Sequence, residues 1–260
     1  MTDQKSGVAD RLRALAPVII SYSGGVDSSL LAAIAEEAIR GQFRLILLDS
    51  AIVPRRAVSE ALKTARELGI ACEVMTFPIL DDEAFCRNPP DRCAICKRQS
   101  SKILKASASG VAIADGANVS DLGEYRPGLA VADEEGIVHP FIEAGVDKRG
   151  IREMARGCNL SFWSKPSNAC LATRIPYGEP ITPEKLKMIE EGEEVLSALG
   201  FSQFRLRVHG DIARIEVPEE ELDEVIAHRD EITAAFRSMG FLYVTLDLMG
   251  YRSGSMDEEL

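Results

Sequence analysis

Apolar residues in the first part of the chain come in short continuous runs, and the stretches between them carry apolar residues at helical spacing. The runs PVIISY (17–22), FRLILLD (43–49), IACEVMT (70–76) and VAIAD (111–115) read as buried strands. Between them, 26–40 (VDSSLLAAIAEEAIR) and 56–68 (RAVSEALKTAREL) read as helices stopped by Gly41 and Gly69, and 97–107 reads as another, after a proline-containing loop that holds Cys93 and Cys96. Strands alternating with helices of this length predict an α/β fold with a parallel sheet and helices on both faces. A further helix over 147–156 is opened by Asp147 and closed by Gly157.

The pattern changes near residue 183. Thr182 and Pro183 form an N-cap and first-turn pair for a long helix reaching 199. Strands at 203–209 (QFRLRVH) and 212–217 (IARIEV) flank a Gly-Asp turn; a helix over 219–238 and a strand over 241–247 follow. Consecutive antiparallel strands beside helices predict a small C-terminal α+β domain. The expected division is 1–180 and 181–260, with the boundary inside PYGEPIT and a frayed tail SGSMDEEL.

Charge narrows the partners. The chain of 260 residues has 30 basic and 41 acidic side chains, a net charge of −11. That balance argues against nucleic acid and leaves a small anionic molecule in a pocket as the easier partner. No run approaches the roughly 18–20 apolar residues that cross a bilayer. The polar, amphipathic start MTDQKSGVADRLRALAP lacks the layout of a secretory signal, so a cytoplasmic location is expected. Six cysteines in that setting are packing residues, metal ligands or reactive thiols rather than a disulfide framework.

Candidate chemistry concentrates in three places. In SYSGGVDSS (Ser21 to Ser29), a strand, a glycine turn and a helix start make an anion site. Gly24 and Gly25 let the backbone turn and approach a ligand, and the first N–H groups of the helix, from Val26 on, point at it. The hydroxyls of Ser21, Ser23, Ser28 and Ser29 can add hydrogen bonds. No lysine follows the glycines, so this is not the nucleotide loop that carries one; Asp27 suits Mg²⁺ bridging phosphates. A second loop, DGANVSDLGEYRPG, follows a strand, where ligands bind in open α/β sheets. It offers Asp115, Gly116 and Asn118, with Asp121 for a metal and Arg126 for a phosphate or carboxylate.

The third place is the cysteines. Cys93 and Cys96 form CxxC in NPPDRCAICKRQ, and Cys170 lies 74 residues on in KPSNACLATRIPYG. Three thiolates suit a [4Fe–4S] cluster with one open iron position, or a zinc site with a water. His139, His209 and His228 have no spacing that adds a ligand, and Cys72, Cys86 and Cys158 stand outside these motifs. Arg205 and Arg207 alternate on one face of a strand and suit a phosphate.

The string SGGVDSS resembles the pyrophosphate-binding loop of the ATP pyrophosphatase (PP-loop) superfamily, which cleaves ATP between the α and β phosphates; the resemblance adds Asp49 and Ser50 as nucleotide contacts. Together, SGGVDSSLLA, NPPDRCxxCK, DGANVSD, RPGLA and WSKPSNACLATRIPYGEPIT resemble the LarE family of sulfur-insertion enzymes for the nickel-pincer nucleotide cofactor. The resemblance runs from about residue 15 to 250. It implies ATP and Mg²⁺ as cofactors and adenylation of a carboxylate of pyridinium-3,5-biscarboxylic acid mononucleotide, a small nucleotide substrate. Sulfur then displaces AMP.

Two sulfur sources occur in the family. Either Cys170 gives up its own sulfur, or Cys93, Cys96 and Cys170 hold a [4Fe–4S] cluster bearing a transferable sulfide; all three thiols are present, which favours the cluster. FRLRVHG and ARIEV resemble the family's substrate-phosphate region, with Arg174 and Glu216 as further candidates, and relatives form homohexamers. Two alternatives remain beside this expectation: tRNA thiolation by the same chemistry, and a sensor module that binds nucleotide without turnover.

Overall fold

The computed structural model describes residues 2–123, 126–165, 169–252 and 254–256. The chain divides into two compact units: residues 1–79 with 91–168, and residues 80–90 with 169–260. The predicted frayed tail lies largely outside the described residues.

The first unit opens with α1 (Thr2–Leu15), β1 (Val18–Tyr22), α2 (Val26–Ala38), β2 (Phe43–Asp49), α3 (Arg55–Glu67) and β3 (Cys72–Thr76). The chain then makes its 80–90 excursion, which holds the one-turn α4 (Glu83–Cys86). It resumes with α5 (Arg92–Ala108), β4 (Ala112–Ala114), α6 (Pro127–Glu134), the short α7 (Pro140–Glu143) and α8 (Lys148–Gly157). The four strands pair in parallel in the order β3-β2-β1-β4. The fold is the expected parallel sheet flanked by helices.

Strand alternation explains why both faces are covered. Val18, Ile20 and Tyr22 point into a core shared with Leu12 of α1, Leu30, Leu31 and Ile34 of α2 and Ile151 of α8. Ile19 and Ile46 point the other way, onto Leu104 and Ala108 of α5 and Ala132 of α6. A strand apolar on both faces reads as a continuous apolar run, which is why PVIISY shows no period of two.

One boundary differs from the sequence expectation. The predicted helix over 97–107 begins at Arg92, directly after Pro89, Pro90 and Asp91, so Cys93 and Cys96 are helical rather than in a loop. A proline pair ending an extended stretch is a good place for a helix to start, and the small Ala94 does not oppose it.

The second unit holds α9 (Pro183–Ala198), β5 (Arg205–His209), β6 (Ile212–Glu216), α10 (Leu222–Ala227), α11 (Arg229–Ser238) and β7 (Tyr243–Leu246). Thr182 caps α9 by accepting from the Lys185 N–H, with Pro183 in the first turn. Gly192 sits inside α9 because a Cβ there would lie 2.2 Å from Leu206 Cδ2 of β5. The helix and the sheet could not approach as closely around an alanine.

Two details of this unit correct the sequence reading. The helix expected over 219–238 is broken into a 3₁₀ turn at Glu219–Glu221, α10 and α11, interrupted at His228 (φ −90°, ψ 12°). Although β5 and β6 form the expected antiparallel hairpin, β7 pairs with β6 in parallel. A helical crossover returns the chain in the same direction, so the sheet is mixed rather than antiparallel.

Candidate functional site

In the first unit, β1 ends at Tyr22 and α2 starts at Val26, so Ser23, Gly24 and Gly25 make the turn. Gly24 has φ +74°, and a Cβ there would lie 2.3 Å from Ala61 Cβ and 2.7 Å from its Cα. Only glycine fits that position, because the loop is pressed against α3. Gly25 occupies the N-cap of α2 in extended conformation with no side-chain cap, which leaves the opening N–H groups of a 13-residue helix directed at the loop.

The serines order this turn. Ser28 Oγ lies 3.1 Å from Ser23 Oγ and donates to the Gly25 carbonyl, while Ser23 Oγ accepts from the Gly25 N–H. Ser29 Oγ donates to the Tyr22 hydroxyl, which in turn donates to the Ala61 carbonyl. Burial is the main force raising the Tyr22 pKa to about 12, so this hydroxyl stays protonated as a donor. Ser21 lies within β1, half-buried. Asp49 ends β2 and is held by Arg55, whose guanidinium also takes the Ser50 carbonyl; the buried Ser50 Oγ finds no hydrogen-bond partner among the described residues.

The second loop is built against the first. A Cβ on Gly116 would fall 2.8 Å from the Ser28 backbone nitrogen, so this loop touches the opening turn of α2 at its glycine. The buried Asn118 connects the two acids proposed for magnesium: its side-chain amide donates to Asp27 Oδ2 and its N–H to Asp121 Oδ2. Arg126 pairs with Asp121 at 2.9 Å. Burial raises the Asp27 pKa and the Asp121 charge adds to it, against the pull of Lys148, Arg152 and Arg126. Two carboxylates that repel one another beside an anion loop have the chemistry of a divalent-cation bridge.

The far end of this loop leads to the cysteines. Cys93 and Cys96 lie in the opening turns of α5, three residues apart and therefore on one helix face. Gly128 packs close to the Cys93 carbonyl. Next in α5, Lys97 reaches Asp115 at 2.6 Å, and His139 Nδ1 lies 2.6 Å from the other Asp115 oxygen. Burial works to raise the Asp115 pKa, but Lys97 and His139 outweigh it and hold the carboxyl well below its usual range. Burial likewise works against a charged His139, and Asp115 outweighs it, raising the imidazole pKa.

This carboxylate is expected to matter for stability. Asp115→Asn should destabilise the protein by about 3 kcal/mol at neutral pH, since it strands buried charge. A depressed pKa contributes stability above the unfolded value of 3.8, and that contribution is lost as pH falls towards the folded value. Urea unfolding at pH 7 and pH 3, with both proteins in a His139→Gln background because His139 titrates in the same window, checks this: the gap between the Asp115 and Asp115→Asn proteins should narrow in acid, and an equal gap at both pH values refutes the assignment.

In the second unit, Cys170 precedes a 3₁₀ turn at Leu171–Arg174. Its carbonyl accepts from the Thr173 hydroxyl and from Arg174, which fixes the backbone beneath a half-buried thiol. Arg174 is buried and forks onto Glu193 of α9 (2.9 and 3.2 Å). Arg207 pairs with the fully buried Glu216 and donates to the Thr173 carbonyl, and Arg214 takes the other Glu216 oxygen. Arg205 lies over the Tyr251 ring at 5.1 Å and donates to the Phe204 carbonyl. Burial, and next the charge of Arg174, lower the Arg205 pKa, although an arginine stays charged.

The proposed residues therefore gather into two groups, one in each unit. Ser23 to Ser29, Gly116, Asp121, Arg126, Cys93 and Cys96 belong to the first; Cys170, Arg174, Arg205, Arg207 and Glu216 belong to the second. Cys93 and Cys96 offer two soft donors on one face and fit two corners of an iron–sulfur cluster, while the third thiol belongs to the other unit. Among the described residues, no three His, Cys, Asp or Glu side chains are already gathered around a metal position. Sequence reasoning passed over Lys97 and Glu193, whose partners are distant in the chain, and considered His139 only as a metal ligand.

Comparison with known proteins fits this geometry. The NAD synthase family model matches residues 8–91, the stretch that carries the glycine loop. A pyridinium-3,5-bisthiocarboxylic acid mononucleotide synthase from Lactiplantibacillus plantarum is 31% identical, over 100% of this chain and 96% of its own. Uncharacterized proteins of Synechocystis (35% identical, 93% of this chain and 92% of theirs) and Methanocaldococcus jannaschii (32%, 91% and 91%) are similar too. No helix among the described residues is long and apolar enough to cross a membrane. A relative of this identity aligned from end to end places the chain in the LarE family of ATP-dependent sulfurtransferases, built on the PP-loop ATP pyrophosphatase fold.

Proposed function

We propose that this protein replaces carboxylate oxygen by sulfur in pyridinium-3,5-biscarboxylic acid mononucleotide. A substrate carboxylate attacks the α-phosphorus of ATP, giving an acyl-adenylate and pyrophosphate. Sulfide then adds at the acyl carbon and AMP leaves, giving a thiocarboxylate. The observation that carries the reading is the stretch from Asp115 to Gly128: at Gly116 it touches the opening turn of the phosphate loop helix, and at Asp115, through Lys97, and at Gly128 it touches the cysteine helix. These contacts link the part that would hold ATP to the part that would supply sulfur.

In this reading Gly25 and the first N–H groups of α2 receive the β and γ phosphates, and Asp27 and Asp121 hold Mg²⁺. Asp49 and Ser50 face the nucleoside. Arg205 and Arg207 orient the substrate phosphate, with Arg126, Arg174 and Glu216 shaping its surroundings. Cys93, Cys96 and Cys170 hold a [4Fe–4S] cluster, which when bound supplies the sulfur. The Arg174 contact to the Cys170 carbonyl fixes where that thiol is presented. The protein works in the cytoplasm as a homo-oligomer.

Anaerobically isolated protein should be brown and contain about four iron and at least four sulfide per chain. Cys93→Ala, Cys96→Ala and Cys170→Ala should each lose the visible absorbance and the sulfur transfer, yet still release pyrophosphate from ATP. A colourless protein that is fully active rejects the cluster. A second reading, in which Cys170 is itself the donor, is favoured by its place in the same unit as the arginines. It predicts instead an active Cys93→Ala variant and a loss of about 34 Da per chain after one turnover, the mass of one H₂S.

A further inference from the structure

The glycine loop has no lysine in its own sequence, yet the fold brings one to it. Lys165 lies 141 residues downstream, in WSKPSNAC, and its ammonium donates to the Gly24 carbonyl at 3.4 Å. It lies closer, at 2.8 Å, to Glu60 of α3, which also accepts from Arg56. Burial works to raise the Glu60 pKa, but Lys165 and Arg56 prevail and lower it, so Glu60 is a carboxylate and a real counter-charge.

Lys165 does not arrive there by chance of rotamer alone. The Arg152 guanidinium on α8 donates to the Trp163 carbonyl (3.1 Å) and the Lys165 carbonyl (3.0 Å), clasping the backbone that carries the lysine. Lys148 stands one turn before Arg152 on the same face of α8, and both act on the Asp27 charge in the loop. The region 148–165 therefore directs three cations at one anion loop.

We propose that Lys165 is the phosphate-binding lysine of this loop, parked on Glu60 until pyrophosphate or the β and γ phosphates of ATP draw it across, with Arg152 as the residue that positions it. The inference rests on the reading of the loop given above. The weak 3.4 Å contact to a carbonyl marks a place for an acceptor better than a peptide oxygen. A phosphate oxygen forms a shorter, charge-assisted bond. Glu60 competes with that anion for the same ammonium, which gives the proposal a signature that a merely structural ion pair lacks.

The test is calorimetric titration of the full-length protein with magnesium pyrophosphate, with thermal melting of each variant to verify folding. Lys165→Ala should lose roughly tenfold to a hundredfold in affinity, and Lys165→Arg should keep most of it. Glu60→Gln, which breaks the same ion pair, should bind as tightly as wild type or up to about threefold tighter. If the pair is only structural, Glu60→Gln and Lys165→Ala will fall together, and that result overturns the proposal. So does a folded Lys165→Ala that binds within twofold of wild type. A wild-type protein that takes up no pyrophosphate rejects the reading of the loop itself, and the proposal with it.

Discussion

Gly24→Ala is expected to abolish nucleotide binding and to lower the stability of the protein by about 2–5 kcal/mol. Two independent costs meet at this atom. A residue with a side chain at φ +74° enters the left-handed region, at about 1–2 kcal/mol. The added methyl also falls 2.3 Å from Ala61 Cβ and 2.7 Å from Ala61 Cα, which is backbone and cannot rotate away. Relief has to come from the loop lifting off α3, and the same movement disturbs the Ser28 and Gly25 contacts that shape the anion site. Denaturant unfolding and pyrophosphate release measured on one preparation check it. Gly25→Ala is the matched control: its φ is −71° and its added methyl meets only Ser23 Oγ at 3.5 Å, so its stability should change by less than about 1 kcal/mol. A Gly24→Ala protein as stable as the control shows that the loop does not depend on that close approach.

Glu216→Ala should be the most damaging change in the second unit, at about 3–5 kcal/mol. Its carboxylate is wholly buried between Arg207 and Arg214, and Ser255 Oγ donates to it. Removing it leaves two guanidinium groups facing each other, with Arg174 and Arg205 nearby. Inorganic phosphate should then raise the melting temperature of the variant more than that of wild type, because an anion filling the gap binds only the folded state. Replacing Arg207 and Glu216 together by Met should recover part of the loss, since fewer buried charges are stranded. If the single variant melts with wild type in phosphate-free buffer, the buried carboxylate is not what holds these arginines.

The sequence made the parallel sheet legible because each strand is a continuous apolar run followed by a helical pattern, and Ile19 and Ile20 needed no partner information to be read as buried. The glycine loop was legible for a similar reason, since its chemistry sits within nine consecutive residues. The start of α5 was not: the CxxC residues have no strong helix signal, and only the Pro89-Pro90-Asp91 stop hinted at a helix start. Lys97, His139 and Lys165 acquire meaning from partners 18, 24 and 141 residues away, and no local pattern encodes such pairs. Arg207 and Glu216 were both singled out, but that they pair with each other was not legible: the hairpin register sets Arg207 opposite Arg214 and Glu216 opposite Arg205, and the ion pair runs diagonally between residues nine apart along the chain.

The excursion at 80–90 bears on how the chain is made. Its Cys86 carbonyl accepts from Ile181, its Asn88 carbonyl accepts from Gly178, and the Asn88 amide donates to the carbonyls of Ile175 and Pro176. A ribosome adding roughly 5–20 residues per second delivers those partners on the order of 5–20 s after residue 88. Throughout that interval Phe85, 1% exposed in the finished protein, has no completed core to enter. Neither unit is a contiguous piece of the chain, so a fragment beginning at Ala169 lacks the 80–90 segment that these bonds hold, and should be recovered as insoluble protein unless a peptide spanning 80–90 is supplied with it.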